Sequence, residues 1–577
     1  MSFPSRPRAA VAAMVMTLAA LACAASPSRA AWPNNGRALC TATGDQSNPA
    51  IVGDGGGGAI VVWEDRRGTT PDIYAQRVTA GGALAPGWPA NGSALTTAAL
   101  DQLAPVIAAD GHGGAFVAWE DYRAGGANTS IYVQHVTATG TIATGWPANG
   151  LGLCIQAGTQ GHPTIVADGN GGAIVAWEDF RSGTGDIYVQ TVNAIGQPRW
   201  SANGVPVATA SGDQRFPVAV SDGNGGAIVA WEDSRQGNAD PYAQRIDGSG
   251  HPVWAANGVA LCTQAQDQVA LRIVDDGSGG AIVSWEDYRD DNSDIYAQRI
   301  DASGATKWAA NGVGACRDSS EQYSASIVGD GGGGAFVAWT DLRNGLEDIY
   351  AQHVTAAGDI ATGWIADGRA VCAAAGSQSD PRVASDGAGG AFIGWIDSRP
   401  GTASLDVYAQ RMTSTGATPP GWPTDGLALC SSNADQPVEA ITSDGLGGAV
   451  LTWHDLRSGN ADIYALRVTA SGAAATVDVP EEELLSASPL QAAPNPLRDQ
   501  TWLRFRLAQP DRITAMVVDV TGRRIRSLAD DASLPAGDQT MFWDGRDATG
   551  APVPVGIYLF LMKSSAGTAT AKLAVIR

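Results

Sequence analysis

Residues 276–299 read DGSGGAIVSWEDYRDDNSDIYAQR, and close copies of this stretch occur eight times along the 577-residue chain. In each copy a Gly-rich turn, here 276–280, feeds an apolar run at 281–285. A polar loop at 286–294 then leads into a second apolar segment, 295–300. The Trp of the motif falls at Trp63, Trp119, Trp177, Trp231, Trp285, Trp339, Trp395 and Trp453, in steps of 56, 58, 54, 54, 54, 56 and 58 residues. A repeat of this length with strand-like content points to a propeller or an array.

The full repeat opens earlier, at a second Trp: Trp32, Trp88, Trp146, Trp200, Trp254, Trp308, Trp364 and Trp422. In the fifth copy, 254–262 reads as one strand region, 268–274 as a second, 279–285 as a third and 295–300 as a fourth. Four short strands per unit is the content of a propeller blade. The order of pieces predicts closure. The repeats begin with the Trp32 strand alone, and the last copy stops after its 463–468 strand. The first segment supplies what the last unit lacks, which closes a ring and removes open sheet edges. The predicted fold is therefore all-β: an eight-bladed β-propeller closed by N- and C-terminal strands, followed by a small Ig-like β-sandwich. The expected organisation is a signal peptide over 1–30, the propeller over 31–474, a linker over 475–488 and a C-terminal domain over 489–577.

Sixteen of the 18 Trp lie in the repeat array. Each can bury about 200 Å², or about 5 kcal/mol at 25 cal/mol per Å² as an upper estimate. Gly is abundant, at 73 residues, because Asp-Gly-x-Gly-Gly recurs as a strand-joining turn. Its spacing fits neither a P-loop nor a dinucleotide fingerprint.

The net charge of −22 argues against nucleic acid and anionic membrane as partners. The acidity is local. Residues 32–474 hold 22 Lys+Arg against 46 Asp+Glu, a net −24, whereas 489–577 are net +3. Arg6 and Arg8, the apolar run 9–25 and Ser28-Arg29-Ala30 fit a cleaved export signal. Cys23 offers a lipoprotein alternative with an imperfect motif. After the signal no apolar run is long enough to span a membrane, so a secreted or cell-surface monomer is expected. The other six Cys (Cys40, Cys154, Cys262, Cys316, Cys372 and Cys430) each stand eight residues after the first Trp of a repeat. Equivalent places on neighbouring blades lie too far apart to bridge, so they are expected to be unpaired core residues.

Polar residues recur at fixed points. Asp287 and Arg289 have counterparts in every copy: Asp65 and Arg67, Asp121 and Arg123, Asp179 and Arg181, Asp233 and Arg235, Asp341 and Arg343, Asp397 and Arg399, Asp455 and Arg457. One ligand cannot use eight equivalent sites, so these pairs read as a structural clamp in each blade. No catalytic residue, metal site or cofactor is read from the sequence. The six His fall at unrelated repeat positions, and no nucleophile elbow occurs.

The tail carries Pro494-Asn495-Pro496, Asp519-Val520-Thr521-Gly522-Arg523, Trp543-Asp544-Gly545-Arg546-Asp547 and Gly556-Ile557-Tyr558 before a basic end. In this order the motifs resemble the FlgD-type Ig-like domain and the C-terminal sorting domains of bacterial type IX secretion. Leu497 stands where that family often has an aromatic residue. The resemblance implies an extracellular sorting or attachment module and brings no catalytic residue. The repeats resemble secreted bacterial β-propeller proteins more loosely.

The expected function is an exported, non-catalytic binding or cell-surface interaction protein, with a glycan or a protein as ligand. The alternative is a secreted glycan-active hydrolase or lyase on a propeller scaffold. A site grafted on a repeat should appear where copies differ. The Glu of Trp-Glu-Asp gives way to Thr340, Ile396 and His454 in copies six to eight, and Tyr122, Phe180 and Tyr288 precede the fixed Arg. These six residues are the candidate ligand contacts.

Overall fold

The computed structural model describes residues 32–125, 128–399 and 404–472. Beyond these it describes 491–493 and 501–575, apart from 508–510, 520–522, 536, 549, 555 and 565–566. The expected signal peptide and linker lie outside the described residues.

The run that opens the repeat becomes strand Ala281–Asp287, buried along its whole length. Its residues do not alternate between polar and apolar because neighbouring sheets cover both faces. It pairs antiparallel with Gln268–Asp275 on one side and Asp294–Ile300 on the other, and Val313–Cys316 completes the sheet. Eight such four-stranded sheets stand among the described residues, and no helix does. We number these blades 1 to 8 by their second-strand Trp, Trp63 to Trp453. Each innermost strand packs against those of the adjacent blades, and Gln46–Gly53 of blade 1 packs against Val438–Ser443 of blade 8. The blades thus form a closed ring, a β-propeller.

Closure follows the expected route. Arg37–Cys40 forms the outer strand of blade 8, with Arg37 opposite Ala465 and Ala38 opposite Tyr464. The Gln46 N–H donates to Ala461 O at 2.7 Å. The first described strand and the last repeat therefore share one sheet, and the outer edge of Asp462–Val468 is paired.

The segment after the second Trp differs from its expectation. In blade 4 the outer strand is only Val259–Ala260, and Trp254 lies outside it. Asn257 and Gly258 both take positive φ, 59° and 85°, which breaks any strand running from 254. Gly is required there, since a Cβ on Gly258 would sit 2.4 Å from the Trp231 ring. The second Trp instead reaches across to the next blade. Trp254 Nε1 donates to Ala302 O at 3.2 Å, and Trp32 Nε1 donates to Ala80 O at 2.9 Å.

Beyond residue 490, Gln491–Ala493, Thr501–Leu507 and Gly537–Trp543 form a three-stranded sheet. Asp511–Asp519, Arg524–Leu534, Gly556–Ser564 and Gly567–Val575 form a four-stranded one. Leu503, Phe505, Val517, Trp543, Phe560 and Leu573 share one buried core between them. This is a two-sheet sandwich. The sequence reads as strands over 501–507, 513–520, 539–543 and 557–562, and a strand stands at each; Gln491–Ala493, Arg524–Leu534 and Gly567–Val575 are additional.

Removing residues 32–42 should uncover the hydrogen-bonding edge of Asp462–Val468 and lead to association through it. Light scattering and thermal melting should show oligomers and a lowered Tm. A monomer with an unchanged Tm would mean that closure does not depend on this strand.

Candidate ligand site at the channel mouth

Every second strand ends in Trp-x-Asp, and the Asp is fully buried in all eight blades. In blade 5, Trp285 Nε1 donates to Asp287 Oδ2 at 2.7 Å, and Arg289 grips both carboxylate oxygens at 2.7 and 2.5 Å. The same guanidinium donates to Asn311 O at 3.0 Å and lies 3.9 Å from the centroid of the Tyr296 ring. The set recurs around the ring, from Asp65 and Arg67 to Asp455 and Arg457. One carboxylate therefore joins the second strand, the loop, the third strand and the outer turn.

The six propeller Cys are free and buried. Burial pushes their thiols up to about 11 or 12, far from the thiolate form that reacts. The Gly-rich turn is braced by its own Asp. Asp276 Oδ1 accepts from the N–H of Ser278 and of Gly280, and Oδ2 pairs with Arg299 at 2.9 Å. His135 and His353 replace that Arg in blades 2 and 6, against Asp110 and Asp330.

The blades differ at the inner rim. Every repeat has a Gln at or just before the head of its innermost strand, from Gln46 in blade 1 to Gln436 in blade 8, and after it each innermost strand of blades 1 to 7 slips register against the second strand, as between Arg215 and Val218 in blade 4. The residue two places after the Gln is left-handed: Asn48, Ala104, His162, Phe216, Ala270, Ser324 and Asp380 have φ of 49–56°. In blade 8 the slip is shorter, between Val438 and Ala440. Five of the N–H groups freed by these bulges are taken by the preceding blade. Glu64, Glu120, Glu232 and Glu286 accept from Ala104, His162, Ala270 and Ser324 at 2.7–2.8 Å, and Thr340 Oγ1 accepts from Asp380 at 3.1 Å. The Glu of Trp-Glu-Asp is thus a latch between blades. Glu178 is diverted, with its oxygens 3.0 Å from His162 Nδ1 and 3.6 Å from Arg215 Nε.

Because the fixed Gln pairs opposite the Asp of Trp-x-Asp, these bulges sit on the face that carries the polar loops. A cavity of about 710 Å³ opens there across blades 2 to 5, lined by Pro105, His162, Phe216, Glu232, Leu271 and Arg272 among others. Phe216 is 42% exposed, and its ring meets His162 edge-on at 4.7 Å. A left-handed conformation costs a side-chain-bearing residue about 1–2 kcal/mol, so a half-exposed Phe is an expensive choice at this place. A second cavity of about 450 Å³, more polar, spans blades 7, 8, 1 and 2. It contains Asn48, Asp380, Arg382, Ile396 and Glu439, and it shares Pro105 with the first.

The candidate contacts read from the sequence divide between these regions. Ile396 lines the second cavity, and His454 pairs with Glu439, which lines it too. Thr340 is fully buried as a latch. Tyr122, Phe180 and Tyr288 are half-buried in the loops farther out and do not line the first cavity. The sequence reading missed His162 and Phe216. Their signal was present: the place two residues after the invariant Gln holds Asn, Ala, His, Phe, Ala, Ser, Asp and Val in turn.

Burial pushes Glu232 up to about 7 and also raises Glu286. The hydrogen bond to Glu178 raises His162. Among the described residues no group of His, Cys, Asp and Glu could hold a metal ion, and no helix is long and apolar enough to cross a membrane.

No family model matches this chain, and no curated protein does. Solved structures overlap it weakly. An ulvan lyase, described as from a new family of polysaccharide lyase, is 12% identical, with a TM-score of 0.39 over 77% of this chain and 96% of that one. PorZ, described as a surface component of the type-IX secretion system of Porphyromonas gingivalis, is 13% identical, with a TM-score of 0.23 over 92% and 75%. A protein of unknown function from Dyadobacter fermentans is 9% identical, with a TM-score of 0.30 over 54% and 95%. At these values the overlaps say nothing about ligand or activity.

Two substitutions test this geometry. Asp287→Ala would leave Trp285 Nε1 and the Arg289 charge without their acceptor, and should cost about 3–5 kcal/mol in denaturant unfolding. Glu232 has a folded pKa above its unfolded value. The stability it contributes is therefore complete below about pH 4.5 and lost as pH rises through about 7. Glu232→Gln keeps the acceptor for Ala270 and removes the charge. Its Tm should exceed that of wild type at pH 8 and not at pH 4.5. Parallel pH profiles would show that Glu232 titrates as an ordinary carboxylate.

Proposed function

We propose that the chain is an exported binding protein that takes a glycan at the channel mouth, on the face carrying the Trp-Glu-Asp loops. The observation that carries this reading is Phe216. Its ring is half-exposed, held in a left-handed bulge, and set beside His162 in a cavity of about 710 Å³. An aromatic face with polar groups at its rim suits a sugar, which offers C–H faces for stacking and hydroxyls for hydrogen bonds. Tyr122, Phe180 and Tyr288 are proposed as outer contacts for a longer chain, with Ile396 and His454 at the opposite arc. The eight Asp–Arg pairs act as scaffold. The two-sheet unit after residue 490 serves as the sorting or attachment module that its motifs resemble.

One feature favours a glycan-active hydrolase or lyase as the second reading. Glu232 lines the cavity and is pushed up to about 7, the range of a general acid or base at neutral pH. Release of new reducing ends or unsaturated products from a bound polysaccharide would favour it, provided that Glu232→Gln abolished the release and kept binding.

A glycan array probed with the mature chain, followed by calorimetry on the hits, tests the binding reading. Phe216→Ala should weaken binding at least tenfold while leaving Tm unchanged. Phe216→Gly should raise Tm, because it relieves the left-handed strain. Full affinity in both variants would remove the channel mouth as the site.

A further inference from the structure

One level of the channel wall carries two unmatched charges. The residue four places after each fixed Gln is Ala50, Val106, Thr164, Val218, Ser326 or Ala440 in six blades, and Arg272 or Arg382 in blades 5 and 7. All eight hold equivalent registers against the second strand, Arg272 opposite Ser284 and Arg382 opposite Gly394. The two arginines are therefore at the same height, on either side of blade 6. Arg272 lines the larger cavity and Arg382 the smaller, so each cavity reaches one of the two.

Every hydrogen bond shown from these two guanidiniums goes to a main-chain carbonyl. Arg272 donates to Leu271 O at 2.9 Å and Ala270 O at 3.5 Å. Arg382 donates to Glu439 O at 2.9 Å, Pro381 O at 3.1 Å and Asp380 O at 3.4 Å. The arrangement differs from the clamp arginines, each of which grips a buried carboxylate. Arg272 is exposed to the channel, but the crowding of the channel wall around it and the charge of Arg382 both pull it below the usual guanidinium range. The carboxylates whose charge reaches Arg272, Glu232 and Glu286, are themselves pushed towards neutral by burial. Two like charges at one height that feel each other, neither with a carboxylate at ion-pair distance, leave a site for an anion between them.

We propose that Arg272 and Arg382 form an anion-binding site in the central channel, which receives the carboxylate or sulfate group of an acidic glycan seated at the mouth. This deepens the proposed function and rests on the channel mouth being the ligand site, although the anion site itself can be tested without a glycan.

The test uses the mature chain in three arms at matched ionic strength. Sulfate and glucuronate, each measured against chloride by thermal shift and calorimetry, should raise Tm in a saturable way. Uronate-bearing or sulfated oligosaccharides should bind at least tenfold more tightly than neutral ones. Arg272→Gln and Arg382→Gln should each lower this preference at least tenfold, with partial rescue by Lys. Each should also raise the Tm of the ligand-free protein, because the repulsion is gone; a purely structural Arg would give the opposite change. Sulfate and glucuronate behaving like chloride, or Gln variants that keep the preference, would overturn the site. Neutral glycans that bind through Phe216 regardless of Arg272 would overturn the anion site and leave the proposed function standing.

Discussion

The structure depends on one interaction repeated eight times: a buried Asp carboxylate shared by a Trp indole N–H and an Arg guanidinium that lies on a Tyr ring. An indole inside a blade needs an acceptor for its N–H. A carboxylate supplies one and brings a buried charge that must be matched. Arg matches it with two parallel bonds, and Tyr covers the face of the guanidinium. The guanidinium then has a donor left for the main chain at the outer turn. Losing any member leaves another unsatisfied in a poorly hydrated place. The four residue types consequently appear together in all eight blades.

That dependence explains which parts of the fold were legible in the sequence. Trp, Asp, Arg, Tyr and the Gly-rich turn are fixed by packing, so their period gives the blade count and the order of pieces gives the closure. The outer strand was over-read. Residues 254–262 look like a strand by composition, but the left-handed pair Asn257 and Gly258 divides them, and Trp254 is used as a peg into the next blade. In the C-terminal sandwich, Arg524–Leu534 was missed because RIRSLADDASL lacks the alternation of a half-buried strand.

The candidate site was legible only in its logic. Seeking the places where copies differ was sound, but the loops were searched and the innermost strand was not. A register slip such as that between Arg215 and Val218 leaves no mark in composition. Only the structure shows that the freely varying place after the invariant Gln faces a cavity, and that the Glu of Trp-Glu-Asp is spent on latching the next blade. The break in the Glu series at Thr340, Ile396 and His454 therefore reflects a changed or absent latch first. Thr340 keeps the bond to the next blade with a hydroxyl, whereas His454 turns to Glu439.

Charge was the other place where a whole-chain property and a local one part company. A net −22 argues against partners that meet the outer surface over a wide area, as nucleic acid and anionic membranes do. It does not govern the channel. Surface charges are screened beyond about 8 Å at physiological salt, and the walls of the ring separate the lumen from most of them. What an entering group feels is set by the nearest side chains, here Arg272 and Arg382 beside carboxylates that burial has made reluctant to ionise. An acidic propeller can thus present a basic interior. The repeat leaves room for this, because the place four residues after the Gln varies from blade to blade, and only at Arg272 and Arg382 does it put a charge beside a cavity.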